Sequence, residues 1–314
     1  MKTVLGFDTS NYTTSAAVFR ADGTGCNEGR LLDVPEGGLG LRQSDALFQH
    51  VRRLPERVDA LLEAGELPAL SELAAVGAST APRAVEGSYM PCFLAGTSQA
   101  RVLADVLGVP FFGCSHQQGH VAAASWSASH PELLDAPFLS WHLSGGTTEL
   151  LLTEPVDGMP HMTILGATED ISAGQLIDRT GKLLGIPFPA GKALDALAAE
   201  SDSTDSFPVK LRELSFSLSG VENQVKQRLE RGVPAADVAR FALNTVVRLI
   251  RRVTERAQKE YPGLPVLFSG GVASNALLRR EMGEQVLFAE PRYSTDNAMG
   301  VAILTLRALE RGLI

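Results

Sequence analysis

Short apolar runs bounded by polar residues open the chain: Val4 to Phe7 and Ser15 to Phe19 predict two strands. The polar stretch between them, Asp8-Thr9-Ser10-Asn11, reads as a turn; a hairpin that starts on an acidic residue and is rich in hydroxyls can wrap phosphates. From Leu41 to Glu63, Leu47, Val51, Leu54, Val58, Leu61 and Leu62 recur at helical spacing, with Pro55 expected to kink the helix or mark a boundary. Leu73 to Ala78 predicts a buried strand, Phe93 to Leu107 a helix, and Val109 to Phe112 a strand after Gly108.

The second half opens in the same way. Phe138 to Leu143 and Glu149 to Thr153 predict strands around Ser144-Gly145-Gly146-Thr147-Thr148, and Met162 to Gly166 a third. Helices are expected at about 172–185, 191–200, 219–230 and 234–259, with a polar break from Ser201 to Ser206. Val266 to Phe268 predicts a strand running into Gly270-Gly271, followed by a helix from about 273. A last helix, about 296–310, carries Met299, Ile303, Leu306 and Leu309 on one face. Two halves that each begin with a hairpin suggest a duplicated lobe. The turns at Asp8, Gly145 and Gly270 would then face one cleft, where ligands commonly bind.

Composition narrows the class. A chain of 314 residues buries a sizeable core and suggests two domains. Its 45% hydrophobic and 20% charged residues are ordinary for a soluble globular protein. No apolar run approaches the roughly 18 residues of a membrane span, and the stretch from Met1-Lys2 to Asp8 is too short for a signal-peptide core. Cys26, Cys92 and Cys114 lack CxxC spacing and read as reduced thiols of a cytoplasmic protein. A formal charge of −8 argues against gripping nucleic acid through a broad basic surface. Lys226, Arg228, Arg231, Arg248, Arg251 and Arg252 form a local basic concentration, read first as solvated helix faces.

Several residues suggest chemistry. His116 and His120 lie four apart where a helix should begin, so both imidazoles share a face and can reach one metal ion. Two histidines at this spacing are equally at home packed or on a surface. An HExxH protease needs a glutamate where this chain has Gln117, which removes the general base. Ser144 to Thr148 offers amides and hydroxyls to phosphates, or is a plain hairpin turn. Asp178, in the helix after Thr168-Glu169-Asp170, can accept from ribose hydroxyls, and Asn275 can both donate to and accept from an adenine edge. Asp296 sits at a candidate helix N-cap.

In their order along the chain, these motifs resemble the TsaD/Gcp family of tRNA threonylcarbamoyladenosine synthases, once called O-sialoglycoprotein endopeptidases. The resemblance rests on FDTS at 7–10, HQQGH at 116–120, LSGGTTEL at 143–150 and TEDISAGQLIDRTGKLLGIPFPAG at 168–191. It continues through LSFSLSGVEN at 214–223, FSGGVASNALLR at 268–279 and STDNA at 294–298. It implies an α/β chain of the actin-like ATPase (ASKHA) fold, two ribonuclease-H-like lobes around a nucleotide cleft. The expected lobes are 1–112, onto which the last helix, 296–314, can pack back, and 113–314 with the metal and nucleotide motifs. It also implies that His116, His120 and Asp296 hold one divalent transition metal, Fe or Zn. ATP or threonylcarbamoyl-adenylate would meet His142, Leu143, Ser144, Gly145, Gly146, Asp178, Gly191 and Asn275. The implied activity is transfer of a threonylcarbamoyl group from its adenylate to the adenosine next to the anticodon of tRNA. The implied partners are tRNA, a paralogous actin-like subunit and a small ATPase, with no membrane; no catalytic residue is assigned.

The chain departs from the family pattern in four places. Tyr12 and Thr13 stand where the family's ETSCDET run carries an acidic pair, Thr147 replaces the histidine of SGGH, and Gln175 replaces a glutamate. These changes motivate a second reading, a divergent paralogue that binds nucleotide and metal as a regulatory or assembly scaffold. A sugar or acetate kinase of the same fold is a third reading, but it would not need the HxxxH and Asp296 set.

Overall fold

The computed structural model describes residues 2–10, 12–34, 41–67 and 69–314. Met1, at the end read for a signal peptide, and Asn11, the last residue of the turn expected at 8–11, lie outside the described residues. The chain forms two compact units: Met1–Ala136 with Glu154–His161 and Thr295–Ile314, and Pro137–Thr153 with Met162–Ser294.

The first unit begins with β1 (Thr3–Asp8), β2 (Thr13–Arg20) and β3 (Gly25–Leu31). They are followed by α1 (Gln43–Glu63), β4 (Leu73–Ala81), α2 (Phe93–Leu107), β5 (Phe111–Ser115) and α3 (His116–Ser127). The strands form one sheet in the order β3-β2-β1-β4-β5. β2 runs antiparallel to β1 and β3, while β4 runs parallel to β1 and β5. Leu5, Phe7, Val18, Leu54, Leu61 and Val76 make the core between this sheet and its helices. α1 runs through Pro55 as one helix rather than ending there. β3 escapes the hydrophobic pattern because it is an edge strand, half-buried at best and polar in sequence. β5 starts two residues later than expected, after Pro110, which has no amide to give the ladder.

The second unit holds β6 (Phe138–Leu143) and most of β7 (Thr148–Val156) and β8 (Met159–Ala167). After them come α4 (Ala173–Leu183), α5 (Gly191–Ala198) and the two-residue strands β9 (Leu211–Arg212) and β10 (Ser215–Phe216). α6 (Ser219–Glu230), α7 (Ala235–Glu260), β11 (Val266–Ser269), α8 (Ala276–Met282) and β12 (Leu287–Phe288) complete it. Its main sheet is ordered β8-β7-β6-β11-β12, with β6 antiparallel to β7 and parallel to β11. This is the strand order of the first sheet repeated, so the duplicated lobe expected from the paired hairpins is present. Trp141, Phe216, Phe241 and Phe268 anchor the core, and Trp141 Nε1 donates to Thr254 Oγ1 at 2.9 Å.

The last helix, α9 (Met299–Glu310), belongs to the first unit, where it packs on β1, β2, β4 and α3. It is apolar almost all round, as a helix between a sheet and another helix must be. α3 also belongs there, so the histidines fall in the first unit rather than after a boundary at 112/113. The contact between α3 and α9 is close: a Cβ built on Gly300 would lie 1.7 Å from the Gly119 carbonyl oxygen, backbone that cannot swing aside. A Cβ on Gly119 would meet Val301 and Gly300 only at ordinary contact distances, 3.5 Å and beyond. Gly300→Ala is therefore expected to cost about 3 kcal/mol, whereas Gly119→Ala is close to neutral. Denaturant midpoints of the two variants check this asymmetry.

Candidate functional site

α3 begins at His116 because Ser115 caps it: Ser115 Oγ accepts from Gln118 N at 3.2 Å, and Ser115 N donates to Gln118 Oε1 at 2.8 Å. This reciprocal cap fixes the first turn and sets His116 and His120 on one face. Their Nε2 atoms lie 2.8 Å apart. Asp296 Oδ1 is 3.5 Å from His116 Nε2 and 3.3 Å from His120 Nε2. Asp296 is not a helix cap; the cap of α9 is Ala298, and Asn297 Oδ1 accepts from Met299 N. That leaves the Asp296 carboxylate free to face the imidazoles.

A fourth group, Asp8, stands behind the three. Its Oδ2 accepts from His116 Nδ1 at 2.7 Å, and its Oδ1 accepts from Ser10 N at 2.8 Å. Asp8 is almost fully buried, and the bond to Nδ1 turns His116 Nε2 toward His120 and Asp296. Burial opposes charge on His116, but the Asp8 and Asp296 carboxylates outweigh it and raise its pKa to about 10. Burial also opposes ionisation of Asp296, yet its contacts with the two histidines hold its carboxyl well below the usual range. Burial pushes His50 down to about 4; this neutral histidine meets Thr14 Oγ1 through Nδ1 at 2.8 Å.

The donor set fits a metal. Two imidazole nitrogens and a carboxylate oxygen converge within 4.8 Å of one another. An ion bonded at about 2.0–2.2 Å to each holds its ligands roughly 3 to 3.5 Å apart, and the three separations here run from 2.8 to 3.5 Å. Two imidazole lone pairs at 2.8 Å require a shared proton or a shared cation.

The residues expected at a nucleotide all lie in the second unit. Ser144 Oγ accepts from Gly146 N at 3.3 Å and from Thr147 N at 3.0 Å, so part of the amide set expected to meet phosphate is used within the turn. α4 is strapped to this turn: Ser172 Oγ donates to Gly145 O at 2.8 Å, and Ala173 N donates to Thr148 Oγ1 at 2.8 Å. A Cβ on Gly174 would lie 2.5 Å from Ser144 O, while Gly145 and Gly146 face open space. Gly270, with φ at +89°, brings the loop after β11 against Leu143. Leu143 to Gly146 and the loop after β11 therefore come together, with His142 half-buried at the end of β6. Asp178 Oδ1 accepts from Ala190 N at 2.9 Å, beside Gly191. Asn275 is already engaged: its Oδ1 accepts from Leu278 N and its Nδ2 donates to Asp195 Oδ1, at 2.9 and 2.8 Å. The replaced position Gln175 completes a capping box with Ser172, a task glutamine performs as well as glutamate.

A family model described as tRNA N6-adenosine threonylcarbamoyltransferase, TsaD, matches residues 36–303. The chain belongs to this family. A tRNA N6-adenosine threonylcarbamoyltransferase of Thermus thermophilus is 33% identical, the match covering 98% of this chain and 94% of that protein. The enzyme of the same name from Anaeromyxobacter dehalogenans is 31% identical, over 99% and 96%. Among solved structures, full-length HypF in its phosphate- and nucleotide-bound form is similar at a TM-score of 0.60 with 15% identity, over 98% of this chain and 56% of that one. Component A of the Acidaminococcus fermentans (R)-2-hydroxyglutaryl-CoA dehydratase gives 0.57 with 16% identity, over 99% and 100%. The TsaD-family chain thus has the actin-like ATPase fold, two ribonuclease-H-like lobes of the same strand order. Among the described residues no helix is long and apolar enough to cross a membrane.

Removing a ligand and removing its support should differ. If these residues hold a divalent metal, His116→Ala and Asp296→Ala are expected to abolish its stoichiometric binding, while Asp8→Asn, which removes no donor, weakens it by about 10–100-fold. Metal analysis after dialysis, with titration of the stripped protein, measures both.

Proposed function

We propose that this chain transfers the threonylcarbamoyl group of threonylcarbamoyl-adenylate to the exocyclic amine of the adenosine next to the anticodon of tRNA. The family match over residues 36–303 carries this reading, and the convergence of His116, His120 and Asp296 supports it. In the transfer the amine nitrogen forms a bond to the carbamoyl carbon and gives up one proton. The bond from that carbon to the phosphate oxygen breaks, and AMP leaves with the electron pair. A resident divalent ion, Fe or Zn, held by His116, His120 and Asp296, would act as a Lewis acid toward donor oxygens. Asp8 holds His116 in the tautomer such an ion needs. The open face over Gly145 and Gly146 leaves room for the adenylate, and Asp178, with one carboxylate oxygen on Ala190 N, keeps the other for a ribose hydroxyl.

The scaffold reading drew on four departures from the family pattern. Of these, Gln175 is accounted for by its cap, and Thr13 is buried at the start of β2, opposite Leu31. The reading as a transferase includes a paralogous actin-like subunit and a small ATPase as partners, and the cytoplasm as compartment. Buried Cys92 and Cys114, whose thiols burial pushes upward, are inert and suit a reducing setting.

Purified protein with its partner subunits, unmodified tRNA and threonylcarbamoyl-adenylate should form threonylcarbamoyladenosine, detected by mass spectrometry of the digested tRNA. Protein that binds both metal and nucleotide but forms no product would refute the reading. At Gly145, where a side chain meets open space, Gly145→Val should leave the melting temperature unchanged and weaken ATP binding by roughly tenfold, about 1.4 kcal/mol. Calorimetric titration with ATP reads the second effect.

A further inference from the structure

α7 carries Arg240, Arg248 and Arg251 at offsets of eight and eleven residues, which places the three within a face roughly 80° wide. Its apolar face, with Phe241, Val246, Leu249 and Val253, is buried in the core of the second unit. The arginines line a pocket of about 230 Å³ together with Ser203, Thr204 and Glu281. The opposite wall is the polar segment 201–206, and it is fastened to the helix. Asn244 Nδ2 donates to Ser203 O and Asp205 O at 2.9 and 3.0 Å, and Arg248 Nη1 donates to Ser206 Oγ at 2.6 Å. Phe207 N, just beyond, donates to Thr245 Oγ1 at 2.9 Å. The concavity is therefore part of the fold and not a chance arrangement of long side chains.

Its charges are unequally met. Arg251 pairs with Glu255 at 2.8 Å. Among the described residues Arg240 and Arg248 make no ion pair, and Arg240 Nε is buried without a hydrogen-bond acceptor. Glu281 is the single acid of the lining against three guanidinium groups, in a chain whose net charge is −8. A buried donor without an acceptor, beside further guanidinium groups, calls for an anion with several oxygens. The lining includes no aromatic ring, so it offers nothing on which a base could stack.

We propose that this pocket receives a phosphate of the tRNA backbone, with Arg240 and Arg248 as its main contacts and Arg251 at the mouth. The proposal rests on the preceding reading only in taking tRNA as the polyanion. It gives an acidic protein a local grip on RNA without a broad basic surface.

The test measures binding of unmodified tRNA to the full chain by filter retention across a series of salt concentrations. Arg240→Ala/Arg248→Ala should bind roughly tenfold or more weakly at about 0.1 M salt, and the slope of log K against log salt should shrink by about 1, the loss of one phosphate contact. Arg240→Lys/Arg248→Lys should keep the wild-type slope. Arg251→Glu, at an exposed position, gives a second measurement should the double alanine variant lose its helical circular dichroism. It too is expected to weaken binding and flatten the slope. Unchanged affinity and slope in these variants would overturn the proposal. So would weaker binding of inorganic phosphate or ATP with tRNA binding intact, which would make this a site for small anions. Pocket-dependent binding of tRNA without transfer would refute the function and leave the pocket standing. Transfer with pocket-independent binding would do the reverse.

Discussion

Helices α3 and α9 touch backbone to backbone, and this approach sets the position of every donor of the proposed metal site. The histidines ride on α3, and Asp296 lies three residues before α9 begins. With a side chain at position 300 the helices would have to separate, and the carboxylate would move away from the imidazoles by a comparable distance. A donor set with separations of 2.8 to 3.5 Å has little tolerance for that. Asp8 adds the third element, because β1 delivers a buried carboxylate to the far nitrogen of His116. A sheet, one helix from mid-chain and one from its end thus meet at a single small volume. The packing in the first unit and the chemistry offered there are one problem.

The second unit solves a different problem, how to hold a turn open. Ser144 closes the hairpin from inside, and Ser172 and Thr148 tie α4 to it, leaving Gly145 and Gly146 facing outward. A turn so braced changes little when a ligand arrives, so little binding energy is lost in ordering it. The same bracing explains why Gln175 is tolerated. Its amide oxygen accepts from Ser172 N as a carboxylate would, and the helix start survives the loss of charge.

Most of the elements were legible in the sequence because both sheets are buried and their strands read as apolar runs. α2 and α6 fell where the periodicity put them, and the repeated hairpin correctly signalled two lobes of one strand order. The proposed donor set was legible only in part. His116 and His120 share a local spacing, but Asp296 lies 176 residues beyond His120, and no periodicity links them. Asp8 was read as a phosphate-facing turn residue, and its bond to His116 spans 108 positions. The caps at Ser115 and Ser172 carry a local signal, serine followed three residues later by glutamine. Asn275 looked like a base-reading amide, yet the start of α8 and Asp195 claim it. Its role depends on a helix beginning at Ala276, three residues later than the pattern suggested.

The first unit is also discontinuous in sequence: its sheet is complete by Ser115, but its last helix begins at Met299. During synthesis the sheet must therefore wait, one face uncovered, while the second unit is made and released. Contacts between α9 and β1 close a loop of nearly the whole chain, among the slowest kinds of contact to form. Until they form, the two histidines have Asp8 behind them but lack the Asp296 carboxylate. A metal held by all three proposed donors would therefore require that α9 has been made and has docked beside α3.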